Sequence, residues 1–245
     1  MASKAAGLNL QTKHLVIGQL TTTELETHAI VVYDLIKNYE ACFNLNTADE
    51  SIFIDFALTP FVNAVFPVSH MLQKTGHFTA LEGDANLRPD IKFHTSIDRK
   101  KFDCLLVEIK CPKSTSDDDL LKLSIEMQYI LNHLIEYGAS NPVVYGVLVY
   151  GYACSIYKMT LVGPKVYVMM KMKTCFLPRC FEDLHVVIHT MSCFLQLRDS
   201  VCEEGQSIIR NKGEKSPIIN WIRQPIIVKM FLLNMYKTSF STRPM

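Results

Sequence analysis

Residues 104–111 read CLLVEIKC, and this octapeptide constrains the fold more than any other stretch of the chain. It forms the apolar heart of FDCLLVEIKCP, a pattern that predicts a β-strand stopped by Pro112. Successive side chains of a strand point to opposite faces. Leu105, Val107, Ile109 and Cys111 therefore share one apolar face, and Leu106, Glu108 and Lys110 share the other. In PDIKF, residues 89–93, Ile91 and Phe93 join the apolar side, while Asp90 and Lys92 point the opposite way. If the two strands pair, Asp90 lies beside Glu108. A strand buries charge only when the charge is paired or used. Two carboxylates with a lysine beside them suit a divalent cation, because Mg²⁺ takes one or two carboxylates and keeps several waters. The same residues also suit a salt-bridged, solvent-facing sheet edge.

The remaining elements follow from periodicity and punctuation. Thr21 and Glu24 form a capping-box pattern that opens a helix carrying Leu25, Val32, Leu35, Ile36, Tyr39 and Phe43 at helical spacing. A second helix starts at Asp49 as N-cap and is interrupted near Pro60. The stretch from His77 to Thr95 predicts two short strands around a turn at Gly83-Asp84. A third helix is capped by Ser116 or Asp117 and ended by Gly138, with the acids at 117–119 at the positive end of its dipole. Two β-rich runs then meet near Gly163-Pro164, and residues 181–202 read as helical. The polar stretch EEGQSIIRNKGEKSP reads as a linker. Helix, helix, three strands, helix, two strands and helix predict an α/β fold, a mixed sheet flanked by helices. The chain divides into an N-terminal helical extension (1–45), a core domain (46–204) and a linker with a C-terminal extension (205–245).

Composition removes several classes of function. With 49% apolar and 20% charged residues, the chain has the profile of a soluble globular protein. Its formal net charge of +1 supplies no global field for a polyanion, so any such site is a local patch. The eight cysteines include no C-x-x-C pair and several sit in apolar runs, which indicates a reduced, intracellular compartment, nuclear or cytoplasmic. No secretory signal is recognised at the N-terminus, and no apolar run reaches the ~18 residues of a membrane span. The nearest, IINWIRQPIIVKMFLLNMY, is broken by Arg223, Pro225 and Lys229 and reads as a packing or partner-binding segment.

Pro89-Asp90 followed by Glu108-Ile109-Lys110 on an apolar strand resembles the PD-(D/E)xK nuclease superfamily. ESIFIDFALTPFVNAVF, GDANLRPDIKF, LLVEIKCPKS, KLSIEMQ and VYGVLVYGYACSIYKMTL are similar, more narrowly, to a lineage-expanded group of fungal proteins with this core. The resemblance runs from about residue 45 to 180. It implies a restriction-endonuclease-like αβββαβ core and hydrolysis of phosphodiesters in DNA, less readily RNA, with Mg²⁺ or Mn²⁺. Asp90 and Glu108 would bind the metal, Lys110 would be catalytic, and Glu50 would be an auxiliary ligand or water-positioning acid. Arg88, Lys113, Lys122 and Gln128 would contact nucleic acid. The Q-x-x-x-Y helix motif of RecB-like exonucleases is missing, since Gln128 is followed by Asn132. The alternative is a catalytically degenerate nuclease fold that binds nucleic acid or protein, with the C-terminal extension serving a homodimer or a protein partner.

Other charged or ligating groups carry less chemistry. Asp90-Ile91-Lys92 and Asp98-Arg99-Lys100 repeat the acid-x-Lys pattern, but only Glu108-Ile109-Lys110 lies within a strand-like apolar run. His185, His189 and Cys193 recur every four residues and can share a helix face, yet LHVVIHTMSCFL is apolar enough to be core and offers no fourth zinc ligand. Arg99, Lys100 and Lys101 add to the positive charge that brackets the site in sequence.

Overall fold

The computed structural model describes residues 22–38, 49–66, 72–75, 78–97, 99–112, 114, 118–210 and 215–223. Thr21, Tyr39, Phe43, Asp98, Lys113, Ser116, Asp117 and the segment 224–245 lie outside the described residues. Helix α1 (Thr22–Lys37) precedes α2, which comprises Glu50–Phe53, a π-helical turn at Ile54–Leu58 and a last stretch at Thr59–Val65. Strands β1 (Gln73–Thr75), β2 (Ile91–Ile97) and β3 (Lys100–Lys110) follow. Helix α3 (Asp119–Glu136) then leads to β4 (Val144–Tyr150), β5 (Ala153–Gly163) and β6 (Val166–Phe176). A 3₁₀ turn at Phe181–His185 opens the long helix α4 (Val186–Arg210).

The six strands lie in sequence order in one mixed sheet. Only β3 and β4 are parallel, and every other neighbouring pair is antiparallel. A parallel neighbour demands a crossover, and α3 supplies it. The sheet is covered on both faces. Ile91, Phe93, Leu105, Val107 and Ile109 pack with α1, α2 and α4 residues such as Val31, Phe53, Phe61, Val187 and Phe194. Phe102, Leu106 and Val144 pack with Leu123, Met127, Ile130 and Leu134 of α3. The parity expected for β3 holds, since Leu106 belongs to the α3 side and its odd-numbered neighbours to the other. Among the described residues no helix is long and apolar enough to cross a membrane.

Four expectations shift. The first short strand lies earlier than expected, at Gln73–Thr75, because Lys74 there pairs with Phe93 while 78–90 forms irregular turns around Gly83 and Asp84. The run VYGVLVYGYACSIYKM is two strands, folded back at Gly151, whose φ of +57° suits a residue without a Cβ. Pro60 interrupts α2 less than expected: it sits at the start of the last stretch, after a widened π turn that absorbs its missing donor. Helix α4 continues to Arg210, through half of the expected linker and across the boundary drawn at 204/205, because Val201 and Ile208 are buried on its inner face. Residues 215–223 return to the core: Ser216 donates to the Ala139 carbonyl, and Lys165 N–H donates to the Trp221 carbonyl.

Candidate functional site

The register of β2 on β3 pairs Ile91 with Val107, which sets Asp90 opposite Glu108 as the strand rule expects. Asp90 turns its carboxylate inward, where Oδ2 accepts a hydrogen bond from the Ile109 amide at 2.6 Å. The amide between Glu108 and Lys110 thus ties the two strands at their charged end. Lys110 closes β3, and its carbonyl accepts from the Gly151 amide at 2.8 Å, so the β4–β5 turn fixes the backbone that carries it.

Around this strand end, α2 and α3 bring further charge. Lys110 Nζ stands 3.8 Å from Glu50 Oε2 at the start of α2 and 3.4 Å from Asp119 Oδ1 at the start of α3. The T-shaped contact of Phe53 with Tyr152, centroids 5.5 Å apart, packs the first turn of α2 against the β4–β5 turn and holds Glu50 in reach. Lys122, one turn into α3, donates to Glu108 Oε2 at 2.8 Å. Glu126 follows one turn later and is wholly buried, as nearly are Glu108 at 2% exposure and Asp90 at 5%.

The electrostatics are lopsided. Five carboxyls (Glu50, Asp90, Glu108, Asp119 and Glu126) meet two ammonium groups. Glu108 Oε1, Asp119 Oδ2 and both Glu126 oxygens are buried and receive no hydrogen bond from an amide, hydroxyl or ammonium group, while a hydrogen bond joins the Glu108 and Glu126 carboxyls. Burial, then the neighbouring Glu126 and Asp90, raise the Glu108 carboxyl well above its ordinary range, and burial raises Glu126 as well. The Glu108–Glu126 pair together therefore retains a proton. A hydrogen bond between the two carboxyls holds that proton. Burial also raises Asp90 and Glu50, and the Ile109 amide offsets only part of the effect on Asp90. For both lysines burial disfavours the charge, yet their carboxylate partners outweigh it and each pKa ends above its ordinary value.

Of the residues named from sequence, Glu50, Asp90, Glu108 and Lys110 come together at this end of the sheet. Lys122 joins them as the ionic partner of Glu108. Gln128 instead donates to the Arg223 carbonyl at 3.2 Å, beside Asn132, and faces the returning chain. Arg88 is exposed and donates to the Ala85 carbonyl. Lys100 and Lys101 occupy the opposite end of β3, roughly 30 Å from Lys110 at ~3.3 Å per residue, too far to bracket the site. His189 lies against Cys193 and the Thr174 carbonyl on α4, with Cys154, Cys175 and Cys193 forming a thiol cluster in the core. Asp119 and Glu126 were missed as site residues. The signal was present, since 119, 122 and 126 recur at helical spacing on one face. Asp119 was masked by its role as a helix-start acid, and Glu126 by the apolar run around it.

Among the described residues no three His, Cys, Asp or Glu side chains converge on one point as they stand. Their donor chemistry nevertheless fits a hard divalent cation: all are carboxylate oxygens, and four of those oxygens receive no amide, hydroxyl or ammonium donor. Compared with known proteins, the chain matches no family model, no curated protein and no solved structure.

Proposed function

We propose that the chain is a metal-dependent nuclease that hydrolyses phosphodiesters, with DNA as the preferred substrate. The observation that carries this reading is the meeting of Glu50, Asp90, Glu108 and Lys110 at one end of the sheet, from three separate elements. The element order α2, β1–β3, α3, β4 supports a restriction-endonuclease-like core, in which these positions carry the chemistry. In this reading Asp90 and Glu108 hold Mg²⁺ or Mn²⁺, with Glu50 as a further oxygen donor. Such an ion lowers the pKa of a bound water and neutralises charge that builds on a phosphate. Lys110, kept protonated by Glu50 and Asp119, orients the attacking water and stabilises negative charge on the phosphate. Glu50, at 30% side-chain exposure, meets solvent and positions that water.

A second reading is a nuclease fold that binds nucleic acid or protein without cutting. The Lys122–Glu108 ion pair favours it, because it closes one of the two metal-binding carboxylates with an internal cation.

The test is cleavage of supercoiled and linear DNA, and of RNA, with Mg²⁺ or Mn²⁺, by wild type beside Asp90→Ala and Lys110→Ala. Metal-dependent cleavage that both substitutions abolish is the expected result. Cleavage surviving both sinks the site, and no cleavage of any nucleic acid leaves the binding module as the better account.

A further inference from the structure

Resting on the metal-site reading above, we propose that Lys122 is an internal competitor for that site: its ammonium and a divalent cation exclude each other at Glu108. The carboxylate of Glu108 is 2% exposed, and its Oε2 accepts Lys122 Nζ at 2.8 Å. No ammonium, amide or hydroxyl reaches its Oε1 or either oxygen of the wholly buried Glu126, whose carboxyl hydrogen-bonds to that of Glu108. The two buried carboxyls therefore share a single ammonium contact, that of Lys122. A buried carboxylate without a counter-charge is strongly unfavourable, so Glu108 holds Lys122 until another cation replaces it.

The two lysines of the site are not equivalent. Lys110 is held from two sides by Asp119 and Glu50, and its backbone is pinned by Gly151. Lys122 has one partner, a side chain 39% exposed, and a four-carbon stem that swings to solvent without disturbing α3. It is thus the group that yields. Once it leaves, an incoming ion meets a free Oε2 on Glu108 and brings two positive charges where there was one. The oxygen-only donors select Mg²⁺ or Mn²⁺ over thiophilic ions. Release of Lys122 also places a free ammonium at the rim of the site, where a phosphate group attracts it. Metal loading and capture of a polyanion are then linked through a single side chain.

The experiment compares Mn²⁺ binding, by electron paramagnetic resonance, to the wild-type chain and to Lys122→Gln, with folding checked by circular dichroism. Lys122→Gln is expected to bind Mn²⁺ about tenfold or more tightly, and equal or weaker binding by the folded variant overturns the proposal. A second measurement needs no variant: acylation of lysine amines in the wild type, followed by mass spectrometry. Mn²⁺ is expected to speed labelling of Lys122 several-fold while Lys101, at the far end of β3, stays unchanged; an unchanged or slower rate at Lys122 overturns the proposal. Both readouts report occupancy, not turnover. Tighter Mn²⁺ binding by Lys122→Gln with no cleavage by either protein upholds the competition and removes the nuclease reading. Metal-dependent cleavage with identical Mn²⁺ affinities does the reverse.

Discussion

Asp90 and Ile109 are joined by a 2.6 Å hydrogen bond from a buried amide to a buried carboxylate. One side chain thus does structural duty for β3 while standing among the charges of the site. Asp90→Asn keeps an acceptor for the Ile109 amide, whereas Asp90→Ala leaves that amide unsatisfied at a cost of about 1–3 kcal/mol. Urea melts are expected to show Asp90→Asn within about 1 kcal/mol of wild type and Asp90→Ala clearly below it, with Mn²⁺ binding weakened in both.

The acidic pair gives the protein a pH dependence of defined sign. Burial, with Glu126 and Asp90, lifts Glu108 from 4.5 to about 9, and burial lifts Glu126 as well. The folded chain therefore binds a proton more tightly than the unfolded chain. The stability this confers is complete below the unfolded carboxyl value and is lost as pH rises toward the folded one. Wild type is expected to lose stability steadily across that window. Glu126→Gln removes one of the two carboxyls, so its stability should vary less with pH and exceed wild type at the alkaline end. Thermal melts across the window check the slope.

Gly146 of β4 lies beneath α3, and a Cβ there would meet Met127 Sδ at 2.6 Å and Leu123 Cδ1 at 3.0 Å. Gly146→Ala is expected to destabilise by about 1–3 kcal/mol, as overpacking does. Because the displaced helix carries Asp119, Lys122 and Glu126, this substitution in the sheet should also weaken Mn²⁺ binding. Binding isotherms beside melting curves check both effects.

Lys92 and Asp103 form a buried ion pair at 3.1 Å, with side chains 6% and 4% exposed. Lys92→Met strands the Asp103 carboxylate, although the Glu82 amide still donates to it, and should cost about 3–5 kcal/mol. Lys92→Met with Asp103→Leu should recover part of that loss. Urea midpoints at constant m-value distinguish the two variants.

The Tyr167 hydroxyl donates to Asn132 Oδ1 at 2.6 Å and accepts from the Arg223 amide at 2.9 Å. Tyr167→Phe loosens the returning segment at Arg223, while Ser216 and Trp221 still anchor the rest of it and the sheet persists. Limited proteolysis should then cut near Arg223 faster than in wild type, with little change in the melting of the core.

The charged end of the sheet was legible because strand parity holds from Leu105 to Lys110, beyond the β2–β3 register shift at Phe93/His94: Asp90, Glu108 and Lys110 needed only their positions in two apolar runs. Glu50 was named only through the resemblance drawn from the sequence motifs, since nothing local says that a helix start will reach Lys110. Asp119 and Glu126 went unread because helix acids have cheaper explanations, as a dipole partner and as an interruption of an apolar face. Helix α4 was cut short because Gly205 and the polar EEGQS stretch imitate a linker. The burial of Ile208 on an inner stripe, a tertiary fact, carries the helix past them. Gln128 was assigned to the site through the resemblance, as a polar residue of the helix after β3 alongside Lys122, but six residues along a helix turn a side chain well away, and it meets Arg223 instead.

The crossover from β3 through α3 has a consequence for how the molecule assembles. That single unit brings Glu108, Lys110, Asp119, Lys122 and Glu126, three acids against two bases. Helix α2 and the residue before β2 add Glu50 and Asp90, two further acids and no further base. The finished fold thus gathers five carboxyls against two ammonium groups at one point. A cation that binds only the finished site acts as a folding ligand: it favours closure of α2 and β2 onto β3 by mass action, in proportion to its concentration over its dissociation constant.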